Sequence, residues 1–338
     1  MGSSATATSA SAASPEFQAV FRAQTDAGGT MSFARFMALA LYDPQVGYYR
    51  RERPRVGYDA GTDFFTASTS GPIFGELVTA ACVKLLDGRN PRDFTFVEIG
   101  AEPPPAPTRE SGVLAGVVHP FGGQRTLRLG EPLQVAGPCV VFSNELFDAQ
   151  PFHRFVFRRG AWRELGVVLR DGTLAEVELT TTPPEFLPAT APEGYAIDAS
   201  LAATTLVEQL AGLPWTGLFV TVDYGKSWRE LTEATPAGTA RAYFRHTQSN
   251  DLLARPGEQD LTGHVCWDWL AAALTRHGFT APTVESQEAF FIHHAADFIA
   301  ATSTAEAAHF SPRKLSLLQL LHPSHLGQKF QVLHAWRE

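Results

Sequence analysis

The chain has 338 residues, 44% of them hydrophobic and 18% charged, which is enough for one large domain with additions or for two domains. A formal net charge of −8 provides no basic footprint, so neither nucleic acid nor an anionic membrane is expected as a main partner. Apolar runs such as 36–42 are far shorter than the ~20 residues needed to cross a bilayer, and the scattered Cys82, Cys139 and Cys266 favour reduced thiols in a cytoplasmic protein over a disulfide framework or a zinc site.

The N-terminus, residues 1–14, is almost entirely Gly, Ser, Ala and Thr. This composition buries little apolar surface and predicts a disordered tail. A signal peptide is disfavoured because the segment lacks a basic start and an apolar core. The first residues, MGSSAT, match the pattern for myristoylation at Gly2, but so short a pattern often matches by chance, and an unmodified tail is the favoured interpretation.

Three helices are predicted in the N-terminal part of the chain. The first begins at Pro15, and the second covers 31–41 with Ser32 able to cap it. The third begins at Pro72, with apolar residues at helical spacing. The hydroxyl-rich turn 67–71 in front of it is either a simple helix entrance or part of a ligand pocket, and the sequence leaves both open.

Three buried strands are predicted at 94–99, 139–143 and 218–222, and polar residues follow or end each of them. In open α/β sheets, ligands bind in the crevice at the carboxyl ends of the strands. For any one carboxylate alone, a helix cap or a surface position remains the alternative. The candidate residues at the first end are Glu98 and Gly100, those at the second are Asn144, Glu145 and Asp148, and that at the third is Asp223.

The loop after the first strand departs from an ordinary nucleotide-binding turn. Such a turn needs glycines and free backbone N–H groups at a helix N-terminus. Here residues 101–107 read AEPPPAP. The four prolines remove four N–H donors, and Glu102 adds a negative charge where an anionic group would lie.

A β insertion is predicted between the second and third strands. Residues 155–177 alternate apolar and polar side chains around Arg159-Gly160 and Asp171-Gly172. This pattern is typical of antiparallel hairpins.

The last third of the chain contains a predicted helix at 266–277, which ends at Gly278. His264, just before it, is a candidate base or orienting group, with a structural histidine as the alternative. The pairs His293-His294 and His322/His325 lack an HExxH or carboxylate context, so no metal site is predicted there.

Six motifs in order along residues 31–333 resemble those of the MidA-type methyltransferases, whose mitochondrial relatives assist assembly of respiratory complex I. They are SFARFMALALYDPQVGYY, DFFTASTSGPIFGEL, FSNELFDAQPFHRF, VTVDYG, RAYFRH with PGEQDLTGHV, and HLGQKFQVL.

The resemblance implies an α/β, Rossmann-like fold that uses S-adenosylmethionine and acts on a protein substrate or partner, with an arginine side chain as the acceptor. We expect a helical segment at 15–90 and a methyltransferase domain at 91–338, with the β insertion at about 152–195. A homodimer is left open. The candidate catalytic residues are Asn144, Glu145, Asp148 and His264, and the candidate cofactor-binding residues are Glu98, Gly100, Thr66, Ser68, Glu76 and Asp223.

Two departures from the family pattern divide the functional interpretation. The family loop ELGPGRGTL is EIGAEPPPAPT here, and residues 101–138 leave room for at most one crossover, since a βαβ unit needs roughly 30 residues. The core should therefore be truncated, and S-adenosylmethionine binding weak or lost. Either the chain is an active methyltransferase with an eroded cofactor site, or it is a catalytically silent relative that works as an assembly or scaffold protein. A hydrolase is disfavoured, because no GxSxG elbow or P-loop occurs.

Overall fold

The structure, a computed structural model, describes residues 13–51, 55, 62–63, 71–101, 111–307 and 311–338. The predictions made for Gly2, Thr66, Ser68 and the prolines of the 101–107 loop therefore lie outside the described residues.

The described chain contains both helices and strands, and its longest run of consecutive strands is β2 (Thr95–Ile99) to β8 (Ala196–Ala199). The helices are α1 (Pro15–Gln24), α2 (Phe33–Tyr42), α3 (Pro72–Leu85), α4 (Leu201–Ala211), α5 (Trp228–Glu233), α6 (Trp267–Arg276), α7 (Gln287–His294), α8 (Ala296–Ala305) and α9 (Pro312–Leu321). The strands are β1 (Thr30–Ser32), β2 (Thr95–Ile99), β3 (Gly123–Leu127), β4 (Gly137–Asn144), β5 (His153–Arg158), β6 (Ala161–Arg170), β7 (Thr173–Glu178), β8 (Ala196–Ala199), β9 (Trp215–Asp223), β10 (Gly225–Lys226), β11 (Arg241–Phe244), β12 (Thr247–Ser249), β13 (Asp260–Thr262), β14 (Val265–Cys266), β15 (Thr280–Ser286) and β16 (Gln331–Arg337).

The chain divides into two compact units. We call the first the accessory unit: it comprises the described residues of Met1–Arg53, Ala149–Leu201 and Arg229–Gly263. We call the second the sheet unit: it comprises the described residues of Pro54–Asp148, Ala202–Trp228 and His264–Glu338.

The sheet unit is built on a mixed sheet with the strand order β15-β16-β9-β4-β2-β3. Strands β3, β2, β4 and β9 are parallel to one another. Strand β16 runs antiparallel to β9, and β15 runs antiparallel to β16. The three strands predicted from apolar runs are thus β2, β4 and β9, and they lie side by side in the middle of the sheet. The fold is Rossmann-like, as expected.

The core of the sheet unit is short at one edge. Between β2 and β4, the described residues contribute a single strand, β3, and residues 111–136 contain no helix. The sheet consequently has six strands among the described residues. This agrees with the truncation expected from the length of the 101–138 segment.

Apolar side chains cover both faces of this sheet, because neighbouring residues of a strand point to opposite faces. Phe96 and Phe142 belong to one buried cluster, together with side chains of α3, α7 and α9. Val97 and Val141 belong to the other, with side chains of α4 and α6. The continuous apolar runs that predict buried strands in the sequence thus reflect burial on both faces.

The accessory unit contains the predicted hairpins. Strands β5, β6 and β7 pair antiparallel in sequence order, in a sheet with β1 and β8. The turns that join β5 to β6 and β6 to β7 have positive φ at both central residues. These angles are 53° and 73° at Arg159-Gly160, and 48° and 79° at Asp171-Gly172. Turns of this kind match the right-handed twist of the strands that they join. The hairpin prediction is therefore confirmed.

The helix predictions hold with small shifts at the ends. Ser32 caps α2 by accepting a hydrogen bond from the Arg35 N–H at 3.3 Å, but Met31 lies in β1 rather than in the helix. Helices α7 to α9 were not predicted. Cys82, Cys139 and Cys266 are buried free thiols. None of the described helices is long and apolar enough to cross a membrane.

Candidate functional site

The carboxyl ends of β2, β4 and β9 form one rim of the sheet unit. The register pairs Ile99 with Ser143 and Asn144 with Val222, so the three strands end at nearly the same level. Glu98, Asn144 and Asp223 are thereby brought to one edge, as the sequence predicts. We refer to this edge as the site rim.

Asp223 ties the loop after β4 to the end of β9. Its Oδ2 accepts hydrogen bonds from the N–H groups of Phe147 at 2.8 Å and Asp148 at 3.3 Å, and its Oδ1 accepts one from the N–H of Tyr224 at 2.8 Å. The side chain is completely buried, and burial raises its pKa to about 7, against the opposing effect of these N–H donors. In this arrangement the Asp223 carboxylate binds backbone N–H groups, and its expected contact with a cofactor stays a prediction.

Asn144 and Glu145 stand at the end of β4 in an unusual backbone conformation. Glu145 has φ +50°, which is uncommon for a residue other than glycine, and its N–H donates to the Val222 carbonyl at 2.9 Å. The Asn144 Nδ2 donates to Glu145 Oε1 at 3.1 Å, which fixes the orientation of the amide. The Asn144 Oδ1 is buried and has no hydrogen-bond partner among the described residues.

An unpaired buried acceptor of this kind costs about 1–3 kcal/mol unless another group supplies a donor. Backbone strain, as at Glu145, also tends to concentrate at functional sites. The two observations concern adjacent residues and make this point of the rim a candidate place for a ligand. Asp148, three residues further on, is 4% exposed and belongs to the loop that Asp223 holds.

Glu98 is enclosed by the chain that follows the undescribed loop. Its Oε2 accepts a hydrogen bond from the Val113 N–H at 2.6 Å, and burial raises its pKa to about 7. A Cβ atom on Gly112, which has φ +96°, would lie 2.3 Å from that oxygen. Glu98 therefore secures this turn against β2, and its role toward a cofactor stays a prediction.

Gly100 occupies a position that only glycine fits. Its φ is +80°, and a Cβ there would lie 2.7 Å from Cδ1 of Leu146, in the loop after β4. Its N–H donates to the Leu127 carbonyl at 2.8 Å, so the chain stays bonded to the end of β3 as it turns. Close packing of this first turn against the loop after β4 is what the glycine permits.

His264 stands beside the third strand end. Its ring stacks on Tyr224, with centroids 6.3 Å apart and an angle of 19° between the planes. The contact arises because β10, directly after Asp223, pairs in parallel with β14, directly after His264. The structure thus brings His264 to the same strand end as Asp223.

Sequence reasoning missed Gln331 at this end of the sheet. Gln331 pairs with Asp223 in the register of β16 and β9. Its Oε1 accepts hydrogen bonds from the N–H of Gly225 at 3.0 Å and from the indole N–H of Trp267 at 3.4 Å. The signal was present in the motif HLGQKFQVL, which ends in β16.

Glu76 is engaged elsewhere in the sheet unit. It forms a two-pronged ion pair with Arg313 of α9, at 2.6 Å and 3.1 Å. Its expected cofactor contact stays a prediction, as do those of Thr66 and Ser68, which lie outside the described residues.

The chemistry of the rim is dominated by acceptors. The Asn144 amide oxygen and the carboxylates of Glu145 and Asp148 follow one another in a partly buried loop. Oxygen acceptors in such surroundings suit cationic or N–H-rich groups, for example an ammonium or a guanidinium. The rim is poorly suited to a phosphate or a carboxylate.

Comparisons with known proteins agree with this picture. Residues 128–284 match the family model "Putative S-adenosyl-L-methionine-dependent methyltransferase", a range that includes β4 and β9 but not β2 or the proline-rich loop. The mitochondrial protein arginine methyltransferase NDUFAF7 of Danio rerio is 24% identical over 305 residues, covering 72% of this chain and 68% of that protein.

Two crystal structures of Burkholderia thailandensis proteins share the fold. One, bound to S-adenosylhomocysteine, has a TM-score of 0.81 and 24% identity, and the comparison covers 95% of this chain and 92% of that one. The other, a native structure, has a TM-score of 0.78 and 22% identity, with 95% and 91% covered. The family model, the ordered motifs and the fold together agree with the resemblance to the MidA-type S-adenosylmethionine-dependent methyltransferases, and this chain is similar to those proteins.

Proposed function

We propose that this chain is a protein methyltransferase that acts on arginine side chains and binds S-adenosylmethionine weakly. The observation that carries the proposal is the buried Asn144 Oδ1, which has no hydrogen-bond partner among the residues that the structure describes, next to the strained Glu145. This acceptor fits a ligand that brings N–H or O–H donors, which the ammonium and the ribose of the cofactor both do. The arginine acceptor is supported by the acceptor-rich rim and by the likeness to a protein arginine methyltransferase.

When bound, S-adenosylmethionine supplies an electrophilic methyl group on a sulfonium. The residues of the chain then have to hold and orient the nucleophile. Glu145 and Asp148 would hold a guanidinium by charge-assisted hydrogen bonds, and carboxylates on one side of it localise its nucleophilic lone pair on a single nitrogen. His264 would accept the proton that the methylated nitrogen releases.

The weak binding follows from the loop sequence. Pro103, Pro104, Pro105 and Pro107 carry no N–H, and Glu102 repels the cofactor carboxylate unless the ammonium is turned toward it. Two or three lost hydrogen bonds, at about 1–1.5 kcal/mol each, weaken binding by roughly 30- to 2,000-fold. An ordinary micromolar affinity would thus become about millimolar.

Isothermal titration calorimetry with S-adenosylmethionine and S-adenosylhomocysteine tests the cofactor part. We expect binding weaker than roughly 100 μM, weakened further by Asn144→Ala, and unchanged by the control Gln124→Ala on β3. Transfer of labelled methyl groups to an arginine-rich protein tests the reaction, with Glu145→Gln expected to abolish it. Binding tighter than that limit would refute the eroded site, and transfer that survives Glu145→Gln would refute the assigned role.

The second candidate is a catalytically silent relative that acts as an assembly or scaffold protein. The proline-rich loop and the six-stranded sheet favour it, since both leave fewer groups of the chain available to contact a cofactor. Failure to bind either ligand at millimolar concentration, even after residues 101–105 are replaced with a glycine-rich loop, would select this alternative.

A further inference from the structure

A second cluster of chemically active side chains lies at the edge of the sheet unit, on elements that the proposed reaction does not use. Glu285 of β15 contacts three histidines from two other elements. Its Oε1 lies 2.5 Å from His293 Nδ1, and its Oε2 lies 3.1 Å from His294 Nε2 and 3.3 Å from His334 Nε2. His293 and His294 end α7, and His334 is in β16.

The spacing of the ligand atoms of Glu285, His293 and His294 is compatible with one metal ion, and His334 Nε2 lies beside them, 3.3 Å from Glu285 Oε2. The ligand atoms of Glu285, His293 and His294 all lie within 4.8 Å of one another. Donor atoms that bind the same Zn²⁺ at about 2.0–2.2 Å in a tetrahedron lie roughly 3.3 Å apart, so small side-chain rotations bring them into place. Three imidazole nitrogens and one carboxylate oxygen form a donor set that suits zinc and its neighbours in the first transition row.

Three imidazole rings converge on the two carboxylate oxygens of Glu285. The buried ring of Phe290 packs against His294 and His334, with centroid distances of 5.1 Å and 5.6 Å, and so restricts their orientation.

We propose that Glu285, His293, His294 and His334 bind a transition-metal dication, with Zn²⁺ as the best match, and that the ion fastens the end of α7 to the sheet edge. The carboxylate absent from the sequence context of His293-His294 is provided in space by Glu285. This site is independent of the proposed methyl transfer and stands whether or not that reaction occurs.

The test uses the full chain after treatment with a chelator and dialysis. Zn²⁺ is titrated calorimetrically, and Co²⁺ is added separately to record the visible absorption of a tetrahedral site. His293→Ala is the main variant, because the His293 side chain is 60% exposed and its removal should spare the fold. Glu285→Gln is the second variant. His325→Ala is the matched control, since His322 and His325 also lie together, with rings 5.3 Å apart.

We expect one equivalent of Zn²⁺ to bind the unaltered chain and the His325→Ala control alike. Loss of a residue that only supports a metal ligand costs 10–100-fold in affinity, so loss of a direct ligand in His293→Ala or Glu285→Gln should cost at least about 10-fold. The ion should also raise the melting temperature of the unaltered chain and raise it less in His293→Ala. Absence of saturable binding, or an equal loss in His325→Ala and His293→Ala, would overturn the proposal, and His293→Ala decides alone if Glu285→Gln does not fold.

Discussion

Replacing Glu98 with glutamine should make the chain more stable at neutral pH, and progressively so as the pH rises. Burial raises the pKa of Glu98 from an ordinary 4.5 to about 7. Between these two values the unfolded chain loses a proton that the folded chain keeps, so the free energy of unfolding falls as the pH increases. Glutamine does not ionise, and its amide oxygen can still accept the hydrogen bond from the Val113 N–H.

The size of the effect follows from the displacement of the pKa. One pKa unit corresponds to about 1.4 kcal/mol, so the shift from 4.5 to about 7 should let the advantage of Glu98→Gln grow from near zero at pH 4.5 to at most about 3.5 kcal/mol at pH 8. The contribution of Asp223, whose pKa is also raised, is the same in both proteins and cancels in the difference.

The measurement is urea unfolding followed by tryptophan fluorescence at pH 5 and pH 8. Glu131→Gln is the matched control, because Glu131 also accepts a backbone hydrogen bond, from the Arg128 N–H at 2.9 Å, but is exposed rather than buried. A Glu98→Gln variant that is less stable than the unaltered chain at pH 8 would refute the reasoning, since it would mean that the ionised carboxylate has a stabilising partner.

Three further outcomes are expected. Gly100→Ala should destabilise the fold by at least about 1–2 kcal/mol in thermal melts, because alanine is strained at positive φ and its Cβ would contact Leu146. The control Gly29→Ala, with φ +70° and no atom within 4 Å of the added Cβ, should lose only the part that is due to backbone strain. Phe142→Ala should cost about 3–5 kcal/mol in denaturant unfolding, since the ring is completely buried against Phe96 and Phe74, and a loss below 1 kcal/mol would contradict that packing. Replacing residues 101–105 with a glycine-rich loop should strengthen S-adenosylmethionine binding in calorimetry by restoring N–H donors, and an unchanged affinity would count against the role given to the prolines.

The central strands could be predicted from the sequence because burial on both faces leaves long apolar runs, as in β4 and β9. Their polar ends also identify the site rim, since parallel strands end at a common edge. Sequence could not show which way a carboxylate faces. Asp223 and Glu98 stand at strand ends, where a carboxylate could face a ligand. In the structure both instead accept hydrogen bonds from backbone N–H groups of neighbouring loops.

The histidine cluster was beyond sequence reasoning for a different reason. Glu285 and His334 are 49 positions apart and meet only because β15 and β16 pair antiparallel at the sheet edge. Neither strand has the long apolar run that marks a central strand, and the alternating pattern of an edge strand is weak here. The metal-binding potential therefore depends on a pairing that local sequence does not reveal.

The bonding of Asp223 bears on how motifs in this family should be interpreted. Its carboxylate organises the loop after β4, so a chain that had stopped transferring methyl groups would still need the aspartate of its DYG motif in order to fold. The presence of that motif therefore indicates that the fold is retained and does not by itself indicate catalytic activity. Tests of activity in such sequences should examine instead positions such as Asn144, whose buried oxygen has no hydrogen-bond partner in the part of the chain that the structure describes.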